Sequence, residues 1–270
     1  MDRLPRSPTL IAVMLLAVAV EILWRMRTKR GYDRAGAWAT LRIAAANVVF
    51  GALNGLLIGI AFTYTARLAP FHLPIDDWRI WAIGFLVVEF AYYWFHRLHH
   101  VVRWLWATHI VHHSTEQLTF LSAVRLGWTN FVSAGWIVYL PLILAGFDPR
   151  LILTILTFDL HFQFFLHTEA PVRLGPLEWV MNTPAHHQLH HACNESYLDK
   201  NYGGMLIVFD RMFGTFAQVR PEDPMRYGLA HPLPSKTTLE LALGEWRRLI
   251  TDMRHAPSIG SALRTALGRP

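Results

Sequence analysis

The chain has 270 residues, 53% hydrophobic and only 16% charged, with a formal net charge of +6, a pI near 9.8 and a mean hydropathy of +0.26. A soluble domain is about 25% charged, so this balance argues against an ordinary soluble enzyme and for one integral membrane unit. A lone cysteine, Cys193, excludes an intramolecular disulfide and any CxxC metal or redox motif.

Residues 8–24, PTLIAVMLLAVAVEILW, are long enough to cross the roughly 30 Å hydrocarbon core as a helix. Glu21 and the basic run behind it favour an uncleaved anchor over a cleaved signal peptide. Arg25, Arg27, Lys29, Arg30 and Arg34 follow this run directly. Basic residues placed there fit positive-inside flanks rather than a nucleic-acid surface, and no nucleic-acid partner is expected. A second apolar run covers 41–69, with Gly51, Gly55 and Gly59 at a spacing that favours close helix packing in lipid. PFHLPIDD then reads as a loop. A third run covers 78–95. Residues 128–146 and 150–167 read as a fourth and fifth span joined by GFDPR, or as a re-entrant or interfacial hairpin. Near the C-terminus, Leu239, Leu243, Trp246, Ile250 and Met253 recur at helical spacing. They predict a helix lying on the bilayer or the catalytic unit, or an ordinary packed one.

With 25–40 cytoplasmic, the 70–77 loop lies outside, 96–127 inside, 147–149 outside and everything after 168 inside. Every histidine-rich stretch then shares the cytoplasmic face. The expected fold is an all-α membrane bundle of about four or five spans with a cytosolic, histidine-rich di-metal cap. Its expected units are anchor spans (1–74), a catalytic domain (75–220) and a C-terminal surface helix (221–270), in a bacterial inner membrane.

The stretch HRLHHVVRWLWATHIVHH holds six of the fifteen histidines. On a helix, residues three and four apart share a face, which pairs His96 with His100 and gathers His109, His112 and His113. His187, His190 and His191 repeat the second pattern. Neutral imidazole suits Fe, Zn, Cu and Ni, and eight convergent histidines exceed what one metal needs. His72, His231 and His255 read as surface residues; His161, within its span, reads as a polar packing residue ahead of one lying near the site. Arg97 stands where a zinc protease HExxH would need its Glu, and no carboxylate-rich ExxH pair is present. A di-zinc membrane hydrolase and a non-enzymatic metal-binding membrane protein are the alternatives to an oxidase.

Taken together, HRLHH, HIVHH and HQLHH on a multi-span scaffold resemble the fatty acid hydroxylase/sterol desaturase superfamily over about residues 75–220. The stretch from FQFFLHTE to FDRMFGTF looks closest to its alkylglycerol monooxygenase-like branch. The resemblance implies His96, His100, His109, His112, His113, His187, His190 and His191 as metal ligands, adds the isolated His167, and leaves out His99. It implies two iron ions, O2, and hydroxylation or desaturation of a C–H bond in a lipid such as a fatty acyl chain, sterol or ether lipid. The reductant would be a separate molecule: ferredoxin, cytochrome b5 or tetrahydrobiopterin. Glu116, Arg125, Glu169, Asp199, Asn201, Asp210 and His186 are candidates for supporting the ligands, although DKNYGG and DRMFGTF also read as turns and caps. Where relatives carry an Asn and a Thr-Ala-Leu-Arg stretch after HHS, this chain has TEQLTFLSAVR, keeping Arg125 but not the Asn. No feature sets an oligomeric state or a cofactor-binding residue beyond the metal ligands.

Overall fold

The computed structural model describes residues 8–270, all of whose regular elements are helical; only the isolated bridges Met181–Leu206 and Ala192–Tyr227 are extended pairings. Residues 1–7 of the expected anchor unit lie outside the described residues.

Helices α1 (Pro8–Arg27) and α2 (Arg34–Leu68) are long and apolar enough to cross a membrane. Burial along α1 is inverted: Leu15 and Leu16 are 66% and 63% exposed, while Glu21 and Arg25 are buried. That pattern suits lipid as solvent, where an exposed leucine is at ease and a charge must find protein partners. Asp33 starts α2 by accepting from the Gly36 amide at 2.9 Å. Among the described residues the glycine stripe of α2 meets no other helix, because a Cβ at Gly55 or Gly59 would find open space.

Helix α3 (Trp78–Val101) runs past the expected end at 95, so His96 and His100 are still helical. One extended residue, Val102, separates it from α4 (Arg103–His113), and this corner turns the first two histidine boxes toward each other. Residues 128–146 do not form one helix. They break into α5 (Asn130–Ser133), a 3-10 turn at 135–139 and α6 (Leu140–Leu144), with Ala134 at φ 62° in the left-handed region. Buried irregular backbone requires partners for its N–H and C=O groups. Asn54 of α2 supplies two, donating to the Trp128 carbonyl at 2.8 Å and accepting from the Phe131 amide at 2.7 Å.

Helix α7 (Pro149–Phe164) has 16 residues, a length of about 24 Å. At its start the Leu73 amide donates to the Gly146 carbonyl at 2.9 Å, so the two turns expected on the outer face meet. The main core lies between α2, α3, α6 and α7, centred on Phe62, Val88, Tyr139, Ile143, Leu151 and Ile155.

After α8 (Pro184–His190) and α9 (Val208–Met212), α10 (Thr238–Arg254) packs on α4, and α11 (Ile259–Leu267) closes over both. The inward face of α10 is Leu241, Ala242, Glu245, Trp246 and Leu249, whereas Leu239 and Ile250 of the expected stripe are 63% and 40% exposed. The rotation seats buried Glu245 against Arg103 at 2.9 Å, a pairing that hydrophobic spacing could not weigh.

Candidate metal centre

Three short helical segments and one loop supply the histidines. His96 and His100 lie one turn apart at the end of α3, and His109, His112 and His113 on α4. His187 and His190 belong to α8, whose first turn is capped by Thr183, and His191 follows directly. His167 comes from the turn after α7.

These nine side chains converge as two groups. His96, His100, His109, His113 and His190 form one; His112, His167, His187 and His191 form the other; within each, the ligand atoms lie within 4.8 Å of one another. The HxxHH motif is what divides them. On α4, the i and i+4 histidines, 109 and 113, join the first group, while the i+3 histidine, 112, turns to the second. The third box does the reverse: His187 and His191 join the second group and His190 the first. His113 stacks on His191 with ring centroids 4.3 Å apart, so the groups are neighbours.

Main-chain carbonyls orient several rings. His96 Nδ1 donates to Tyr202 O at 2.8 Å, His190 Nδ1 to Lys200 O at 2.9 Å, and His167 Nδ1 to Gln163 O at 2.7 Å. His112 Nδ1 reaches Arg125 O at 3.3 Å. A carbonyl only accepts, so each of these rings carries its proton on Nδ1 and keeps a lone pair on Nε2. His112 and His167 Nε2 nevertheless approach to 3.0 Å. Two lone pairs at that separation repel, unless a cation lies among them. Nε2 of His100 and of His190 are also buried without a hydrogen-bond partner among the described residues. An imidazole donor set of this kind fits a transition metal in each group.

All nine imidazoles except the half-buried His109 are buried. Burial pushes His112 down to about 4 and His190 down to about 3. Burial, reinforced by neighbouring imidazoles, likewise holds His187 and His191 well below the usual histidine range. At neutral pH these rings are uncharged, the state a metal ligand requires.

The remaining sequence candidates are placed differently. Asp210 accepts from the Tyr202 and Gly203 amides at 2.8 and 2.7 Å, and so holds the carbonyl that orients His96. Asn201, at φ 56°, donates to His186 O and Ala217 O. Arg125 is buried, and it is its carbonyl, not its guanidinium, that meets His112. Glu116 pairs with Lys236 at the surface and Asp199 with Arg269, and neither touches an imidazole. Glu169 binds Arg25 at 3.3 Å and accepts from the Leu118 amide. His186 stands outside both groups with its ring on Phe216. His99 does too, donating to Phe95 O and packed against Gly135.

Sequence reasoning missed two supports. Glu21 accepts from Thr168, the residue after His167, and from the Phe120 amide. Together with the Arg25–Glu169 pair, it ties α1 to the His167 turn. Glu89 accepts from the Met205 and Leu206 amides at 2.9 and 3.0 Å, fastening the strip that carries Tyr202. A lone Glu inside an apolar run was the available signal for both.

A cavity of about 510 Å³ lies against the histidines. His96 and His109 of one group and His112 and His167 of the other form its polar end; Ile58, Phe62, Phe95, Trp136, Leu153 and Leu156 are among its apolar walls. A chain of CH2 groups lying there would pass beside both groups.

The sequence profile of the fatty acid hydroxylase family matches residues 81–215. Alkylglycerol monooxygenase of Danio rerio is 48% identical over 163 residues, 60% of this chain and 35% of that protein. The Homo sapiens alkylglycerol monooxygenase is 44% identical over 163 residues, 60% of this chain and 36% of that protein. Ornithine lipid hydroxylase OlsE of Rhizobium tropici is 30% identical over 210 residues, 72% of this chain and 63% of that protein. The chain thus spans about a third of the length of the alkylglycerol monooxygenases it matches. No solved structure matches. The match covers both boxes on α3 and α4, His167 and the third box, and on that ground the chain belongs to the fatty acid hydroxylase family.

Proposed function

We propose that this protein is a membrane-embedded di-iron oxidoreductase that uses O2 to hydroxylate, or desaturate, a C–H bond of a lipid. The observation that carries the reading is the pair of imidazole groups, with opposed Nε2 lone pairs, at the polar end of an apolar cavity. His96, His100, His109, His113 and His190 would hold one iron, and His112, His167, His187 and His191 the other. Bound iron supplies the reductive activation of O2 and the oxidising power to break an unactivated C–H bond. The chain's own contribution is to keep nine rings neutral and oriented, to exclude water, and to hold an alkyl chain against both groups. The electrons would come from a separate donor, of the ferredoxin, cytochrome b5 or tetrahydrobiopterin type. The relatives named for alkylglycerol and ornithine lipid support a lipid substrate, with an ether lipid as the leading candidate.

In this reading α1 and α2 cross the bilayer, and α3, α7 and the broken 130–144 segment fill the same depth. The histidine cap faces the cytoplasm of a bacterial inner membrane, next to the basic residues between α1 and α2. Residues 75–220 act as the catalytic unit.

The deciding experiment combines metal analysis with lipid mass spectrometry. Protein purified from iron-replete cells is expected to carry two iron ions per chain. Aerated cells fed alkylglycerol and sterol should yield a lipid that has gained one oxygen, or lost two hydrogens, with wild type and not with His112→Ala. Release of aldehyde from the alkylglycerol would specify the ether lipid. A zinc pair, with product formed equally without O2, would overturn the oxidase reading.

A further inference from the structure

Among the described residues the cavity wall carries no Asp, Glu, Lys or Arg side chain. Apart from metal held by the histidine groups, this wall would offer a carboxylate or phosphate no counter-charge for the water it lost, at a cost of several kcal/mol. The part of the lipid that lies along the wall away from the histidine groups is therefore uncharged. Selection among uncharged lipids needs a polar feature on the wall, and α7 provides one. Of its cavity-lining residues, Thr157 donates to Leu153 O, and Gln163 is engaged by Tyr92 and by Asp159. His161, half-buried between them, donates from Nδ1 to Thr157 O at 2.6 Å. That bond fixes its tautomer and leaves Nε2 as an acceptor, with no partner among the described residues. It stands outside both metal groups. Leu153, Leu156, Leu160 and Phe164 of α7 line the same wall, and an acceptor left unpaired beside them is unfavourable until a donor arrives.

Resting on the lipid-oxidation reading above, we propose that His161 is a specificity-determining residue, whose Nε2 accepts a hydrogen bond from a hydroxyl of an uncharged lipid bound in the cavity. The same lone pair disfavours a carboxylate in that place. A site built to meet a hydroxyl rejects the analogue lacking it more strongly than a purely apolar pocket can.

The test is equilibrium binding to the full chain in phosphatidylcholine nanodiscs, with no O2 or electron donor required. The probes are radiolabelled 1-O-hexadecylglycerol, hexadecyl methyl ether as its hydroxyl-free counterpart, and palmitate. Wild type should bind the glycerol ether about five- to tenfold more tightly than the methyl ether, the ratio one net hydrogen bond supports, and palmitate most weakly. His161→Phe should erase that preference while still binding the methyl ether, which also reports an intact cavity. His161→Gln, which restores an acceptor, should recover part of it. Metal content of both variants should equal that of wild type. Equal weakening of both ethers by His161→Phe with Gln failing to rescue, an unchanged preference in that variant, or palmitate binding as tightly as the glycerol ether would each overturn the assignment. Because binding is read without turnover, failure of the oxidase reading would appear in the metal and product analysis and not here.

Discussion

The two histidine groups use the same imidazole chemistry but rest on different supports. The five-histidine group sits at the corner between α3 and α4, closed by His190, with Tyr202 and Lys200 carbonyls behind two of its rings. The four-histidine group takes His167 from a turn, and that turn is tied to α1 through Thr168–Glu21 and Glu169–Arg25. One group is thus held within the cap, while the other also depends on an N-terminal helix whose apolar side faces outward. An apparent anchor helix therefore also supports the centre.

Four substitutions would break or sharpen this contrast. The largest effect is expected from His167→Ala. It should reduce bound metal from two per chain to one and lower turnover by at least about 100-fold, seen by metal analysis and product formation. Arg25→Ala comes next. Removing one partner of a buried ion pair costs roughly 3 kcal/mol, and the damage should fall on the four-histidine group, appearing as a lower unfolding temperature and loss of one step in an optical cobalt titration. Loss of both steps together would show that the groups share their support. Asp210→Ala should act on the other group, weakening its metal by about tenfold through the freed Tyr202 carbonyl, with the second cobalt step unchanged. The smallest effect is expected from Glu116→Ala. Its partner Lys236 is exposed, so stability should stay within about 0.5 kcal/mol and both metal steps should persist.

Much of this molecule was legible in the chain itself. Long apolar runs predicted α1 and α2, whose outward leucines and valines need no partner in the protein. Spacing of three and four selected eight histidines, and the family resemblance added His167; all nine converge. The 128–146 run leaves a span and a re-entrant or interfacial hairpin both open, because apolar composition cannot register that Asn54, 74 residues away from Trp128, satisfies an opened backbone. The acidic candidates divide: Asp210 and Glu169 hold backbone or helix contacts behind the histidines, while Glu116 and Asp199 pair with exposed cations. Glu116 lies three residues from His113 yet turns to Lys236, whereas Glu21 reaches Thr168 across 147 residues.

By itself, then, the sequence determined that the regular structure is helical, that two runs are apolar enough to cross a membrane, and which eight histidines, spaced three and four apart, come together. These follow from composition and helical periodicity, which are local properties. Only the tertiary structure decided how nine imidazoles divide into five and four, which carbonyl sets each tautomer, and that α1 supports the His167 turn. It alone decided that His161 faces a cavity rather than a packed wall. Each of these depends on which surfaces meet in space, because a lone pair, a buried charge or an unfilled acceptor acquires its energy from neighbours that the linear order of residues does not name.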